Sequence, residues 1–218
     1  MTKNITVWII IALIVGGGVG YVVGGQKVPT APVTSTSDIS QQKVGFQNAM
    51  RKLWEDHITW TRLYIVEAAA GLPGANETAA RLLKNQEDIG NAVKAYYGEE
   101  AGNKLTALLK EHITGAVEIL TAAKAGDNKK VEVASAKWYA NGDEIAAFLS
   151  GANPQNWPLK DMKDGMKMHL DITLAEAVAQ LQGKYAESVK DYDKVHEHIL
   201  ELADLLSNGI LAQFPDKF

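Results

Sequence analysis

From Asp38 to the C terminus, apolar residues recur every three to four positions. Ala, Leu, Glu and Lys dominate, and runs of β-branched residues are absent. That period is helical, since 3.6 residues per turn place positions i, i+3, i+4 and i+7 on one face. A chain patterned in this way buries its apolar stripes by packing rods against one another, which defines an all-α fold. Breakers set the length of each rod. The spacing predicts a first helix from about Ser37 or Asp38 to Ala70, stopped by "GLPG", and a second over residues 76–97, stopped by Gly98. A third is predicted over 100–125, ending at "AGDN", and a fourth over 129–150, closed by "SGANP". Pro158 suits a first helical turn and opens a short helix to about His169. Thr173 and Glu176 have the spacing of a capping box, which starts a long last helix near Leu174 that runs to about Gln213, with a kink at Gly183. Short loops favour antiparallel neighbours, so the expected architecture is an up-and-down helical bundle of five to six helices.

The N-terminal part reads differently. "VWIIIALIVGGGVGYVV", residues 7–23, carries no charge, and Lys3 precedes it. Its length lies at the lower edge for a bilayer span and above most signal-peptide cores, and no A-x-A-like cleavage site follows. Residues 1–26 are therefore expected to be an uncleaved membrane anchor, with a cleaved signal peptide as the alternative. Either one places the bundle on the extracytoplasmic side, at the cell surface or in the periplasm. Gly16, Gly20 and Gly24 repeat every fourth residue, a spacing that would let two anchors pack into a homodimer. Residues 27–37, "KVPTAPVTSTS", form an extended Pro/Thr/Ser tether, and the bundle occupies 38–218.

Composition narrows the function. Lys plus Arg number 22 against 26 Asp plus Glu, a formal charge of −4, and no basic stripe appears, so a nucleic-acid partner is not expected. The chain has no cysteine, which excludes disulfides, thiolate metal sites, covalent haem attachment and a cysteine nucleophile. No phosphate-binding Gly-rich loop, G-x-S-x-G elbow or H-E-x-x-H is present, and no nucleotide is expected.

All five histidines fall within predicted helices. His57 shares a face with Leu53, Trp60 and Tyr64, and His112 shares one with Leu105, Leu108, Ala116 and Ile119. His169 follows Met162 and Met166 by seven and three positions, and His196 lies on the face of Tyr192, Ile199 and Ala203, with His198 pointing away. Four helices thus direct an imidazole inward, which is how helical bundles build metal sites. The candidate ligands are His57, His112, His169, His196 and His198. Asp88, Glu144 and Asp193 are candidate carboxylate or supporting partners. Imidazole suits zinc, copper or iron; haem between two imidazoles also fits, less well. Met162 and Met166 read as core filling rather than copper ligands. Arg81, Asn85 and Asp88 make a polar stripe on the second helix, and Asn141 and Glu144 interrupt the apolar face of the fourth. "HITWTRLYIVEAAAG" and "HITGAVEILTAAKAG" run the same length from a shared tripeptide to a Gly stop, a faint internal echo.

The segments "LWEDHITWTR", "NQEDIGNAV", "YYGEEAGNKLTALLKEHI", "KWYANGDEIAAFLSGANPQNW", "MHLDIT", "YDKVHEHIL" and "GILAQFP" spread over residues 47–218. As a set they resemble a family of exported or membrane-anchored α-helical proteins of bacteria and archaea. Some members carry the labels glycosyltransferase or acetylglutamate kinase, yet no sugar-nucleotide or ATP-binding signature accompanies the motifs here. The resemblance implies an extracytoplasmic helical domain whose motifs centre on the histidines, and it supplies no reaction. The expected function is a membrane-anchored bundle that binds a transition metal, or haem, for storage, delivery or sensing. One alternative is a structural or interaction module at the cell surface, with the histidines as core hydrogen-bonding groups. The other is a metal-dependent redox or hydrolytic enzyme.

Overall fold

The computed structural model describes residues 36–218. It contains five α-helices, α1 (Thr36–Ala70), α2 (Ala75–Lys124), α3 (Asn128–Ala152), α4 (Leu159–Leu181) and α5 (Tyr185–Gln213), with a final 3₁₀ turn over Pro215–Lys217. Among the described residues no helix is long and apolar enough to cross a membrane. The stretch 7–23 read as an anchor, with its glycine repeat, lies outside the described residues.

α2 is two rods in one assignment. Gly98 breaks it with φ 84° and ψ 171°, a backbone conformation reserved for glycine. The arms 75–97 and 99–124 fold back on each other, and Lys110 of one bridges Glu87 of the other at 2.5 Å. Their contact is backbone against backbone. A Cβ on Gly90 would stand 2.7 Å from the Gly102 carbonyl oxygen, and one on Gly102 would stand 2.7 Å from that of Gly90. The stop predicted at Gly98 is therefore present as a hairpin turn.

The antiparallel order continues around the molecule. Asn85 donates to the Leu53 carbonyl across α1 and α2, and Asn141 donates to the Leu108 carbonyl across α2 and α3. Tyr139 meets Asp171 across α3 and α4, and Ser188 meets Gln180 across α4 and α5. Arg51 with Asp204 and Arg62 with Ser188 close the ring from α5 to α1. Aliphatic residues such as Ile58, Ile89, Leu109, Ile145 and Ile199 fill the interior.

The expected short helix and long last helix are corrected. α4 runs unbroken through Thr173 and Glu176, which are both buried in its interior rather than capping a start. Their spacing belongs to the inward stripe Met162, Met166, His169, Thr173, Glu176, Gln180, whose steps alternate between four and three. Gly183 ends the helix instead of kinking it. With φ at 72°, its N–H bonds to the Gln180 carbonyl and the Lys184 N–H to that of Ala179, the glycine-terminated pattern that closes a helix.

Candidate functional site

Three helical stripes converge at mid-height of the bundle. His57 from α1, His112 from the second arm of α2 and His169 from α4 are 3%, 4% and 5% exposed. With Trp54, Met162 and Met166 they line a small, mostly apolar cavity of about 30 Å³, roughly the share of one water molecule. His169 is the hub. Its ring centre lies 5.8 Å from that of His57, 6.2 Å from His112 and 6.3 Å from His198.

The surroundings fix the outer rings and leave the hub loose. Gln86, fully buried on the first arm of α2, donates to His57 Nδ1 at 3.2 Å. His112 Nδ1 donates to Asn141 Oδ1 at 3.2 Å, and its ring stacks on Trp138, which itself donates to the His112 carbonyl. His169 Nδ1 is buried with no partner, as are Gln86 Oε1, Trp54 Nε1 and Thr173 Oγ1 nearby in sequence or space. A buried polar atom without a partner costs about 1–3 kcal/mol, so native cores rarely keep one without a use.

The last helix departs from the expected phase. His198, not His196, faces inward, on the stripe Ser188, Asp191, Val195, His198. It donates from Nε2 to the Gly165 carbonyl at 2.9 Å and turns Nδ1 towards Glu201, so it backs the cluster by stacking on His169. His196 sits at the surface and meets Glu55 at 3.0 Å. Burial and register with α1 and α4 decide the difference. Of the candidate carboxylates, Asp88 pairs with Arg81 and Lys84 at the rim, and Glu144 and Asp193 are exposed. None of the three lines the cavity.

Electrostatics keep the imidazoles neutral. Burial pushes His57 down to about 3, and repulsion from His112 adds to this. Burial likewise pushes His112 down to about 4 against its bond to Asn141. His169 falls well below 6.5, through burial and then the neighbouring rings. Neutral imidazole is the metal-binding form. Zinc sits about 2.0–2.1 Å from a ligating nitrogen, which places tetrahedral ring centres roughly 5 Å apart. His57 and His112 each stand about an ångström wider than that from His169, and among the described residues no group of three His, Cys, Asp or Glu is spaced to hold a metal ion as placed.

Towards the α4–α5 turn lies a network that is not among the expected site residues. Glu176, 1% exposed, accepts from Arg62 at 3.0 Å, and Arg62 also reaches Ser188, which donates to Gln180. Burial raises the Glu176 carboxyl to about 7, against the pull of Arg62 and with a push from Asp191. Gln86 and Glu176 were both legible as polar members of apolar stripes: Leu82, Gln86, Ile89, Val93 repeats at four, three and four.

The fold and the site define a class: an all-α bundle with a buried, neutral imidazole cluster around a cavity the size of one small guest. No family model, no curated protein and no solved structure matches the sequence.

Proposed function

We propose that the protein holds a transition metal ion inside the bundle through His57, His112 and His169, with residues 7–23 anchoring it to a membrane and the bundle on the extracytoplasmic side. The observation that carries this is the convergence of three buried, neutral imidazoles on one small cavity, with the central ring unpartnered at Nδ1. Drawing His57 and His112 each about an ångström closer to His169 brings those pairs to ligand spacing. Turning over the Gln86 amide, at the expense of its bonds to Leu82 and Asn85, would set Oε1 against an Nδ1–H of His57 and free the His57 Nε2 for the ion. The cavity volume favours a bare ion over haem. The small volume favours keeping an ion over turning over a substrate, which needs an open position and a pocket. The uncharged run 7–23 behind Lys3 supports the anchor.

The full chain, loaded with excess metal and dialysed, is expected to retain about one ion, as in a single three-ligand site. His169→Phe loses the ion and His196→Ala keeps it. Retention of no ion by the unaltered chain sinks the proposal. One set of contacts favours a second reading, a purely structural core: Gln86, Asn141 and the Gly165 carbonyl each engage a ring. Metal analysis separates the two, since a structural core retains no ion whether or not His169 is present.

A further inference from the structure

The lining of the histidine cavity has an unusual donor balance. Three neutral imidazoles face it together with Met162 and Met166, on the same helix face as His169, and no carboxylate is among the lining residues. Asp88, Glu144 and Asp193 are spent at the surface, and the chain has no cysteine to supply a thiolate. Every donor is therefore uncharged, and two are soft thioether sulfurs. The rest of the wall is hydrocarbon and indole: Leu109, Ile145, Leu149, Ile199 and Trp54 among others.

That balance discriminates between ions. The cost of burying an ion in a low-dielectric interior grows with the square of its charge, so a dication pays roughly four times what a monocation pays. Zinc and iron(II) sites offset that cost with anionic thiolates or carboxylates, or with solvent access; this cavity supplies no anionic donor and its wall is mostly apolar. Cu(I) carries a single charge and takes thioether and imidazole donors readily. We infer that the guest of this cavity is Cu(I), bound by imidazoles of His57, His112 and His169 with one sulfur at a time, from Met162 or Met166, as the fourth donor. Met162 and Met166 then serve as alternative ligands as well as packing groups. This assignment rests on the metal reading of the same cluster and goes beyond it by naming the ion, its oxidation state and the source of the fourth donor.

The test uses the full chain under anaerobic conditions with a mild reductant. Cu(I) is titrated against bathocuproine disulfonate and, separately, Zn(II) against a chromophoric zinc indicator. The expected result is about one Cu(I) per chain, held at least a thousandfold more tightly than Zn(II), a difference of about 4 kcal/mol. X-ray absorption at the copper edge should show sulfur as well as nitrogen neighbours. Met162→Leu with Met166→Leu nearly conserves volume, so the fold is kept, and it should weaken Cu(I) binding at least about tenfold while leaving any weak zinc binding unchanged. Tighter zinc than copper, a copper edge with nitrogen neighbours alone, or undiminished Cu(I) affinity in the double variant would each overturn the assignment and leave the metal reading standing. A chain that holds neither ion overturns both. The absorption measurement on the unaltered chain decides the matter even if the double variant does not fold.

Discussion

His169 and His112 carry the same ring in the same cluster, yet their surroundings give opposite expectations for removing them. His112 satisfies Asn141, so His112→Phe leaves a buried amide oxygen without a donor and should cost about 1–3 kcal/mol. His169 has no partner at Nδ1, so His169→Phe removes an existing penalty and should leave the metal-free protein as stable as before or up to about 1 kcal/mol more so. Urea denaturation of the two variants without metal reads the difference directly. Equal destabilisation of both would mean that His169 finds a partner in solution. His196→Ala, which removes only an exposed contact with Glu55, should change stability by less than about 0.5 kcal/mol. The cluster itself was half legible from spacing. His57, His112 and His169 each interrupt an apolar stripe, and each is buried. His198, a candidate expected to point away, faces inward because the last helix offers two adjacent stripes, through Tyr192 and His196 or through Val195 and His198. Only the position of α1 and α4 on either side decides which one is covered.

At the level of elements, α2 is the part on which the site depends most. Its two arms carry Gln86 and His112, and they are held together by the Gly98 turn and the Gly90–Gly102 contact. Gly98→Ala puts a Cβ into a conformation that L residues avoid and should cost about 1–3 kcal/mol. Gly90→Ala is expected to do more than destabilise. Its Cβ would meet the Gly102 carbonyl, which is backbone and cannot turn aside, and also Thr106. The arms must separate, which moves Gln86 relative to His112. Gly90→Ala should therefore lose metal retention as well as about 1–3 kcal/mol of stability, whereas Gly98→Ala loses stability with a smaller effect on the metal. Metal analysis beside urea denaturation separates the two. Helix boundaries at Ala70, Gly98 and near Lys124 were readable because glycine stops are written in the local sequence. The α4–α5 boundary was misplaced because Thr173 and Glu176 satisfy two patterns at once, a capping box and an inward stripe. The inward stripe prevails here: a capped start would have exposed a face that Leu170, Ala179 and their neighbours bury.

Across the whole molecule, two sets of buried titratable groups pull stability in opposite directions with pH. In the folded chain His57 and His112 titrate at about 3 and about 4 instead of 6.5, so between those values and 6.5 the unfolded state binds more protons. Their contribution is complete above 6.5 and is lost as the pH falls towards 4 and then 3, on the order of a few kcal/mol per ring. His169 acts in the same direction. Glu176 acts oppositely. Its folded value is raised from 4.5 to about 7, so the folded state binds the extra proton. That contribution is complete below 4.5 and is lost as the pH rises through 7. Three rings outweigh one carboxyl where the windows overlap, so the metal-free bundle should gain stability from pH 4 to about 6.5 and lose a smaller amount up to pH 8. Glu176→Gln keeps a hydrogen-bonding group beside Arg62 but cannot titrate, and the decline above about pH 6.5 should vanish while the acid limb stays. Thermal unfolding of both forms from pH 3.5 to 8 measures this. A wild-type profile flat below pH 6.5 would show that the imidazoles are not buried neutral, and the ion site would go with them, because it needs those rings unprotonated at neutral pH inside a dry core.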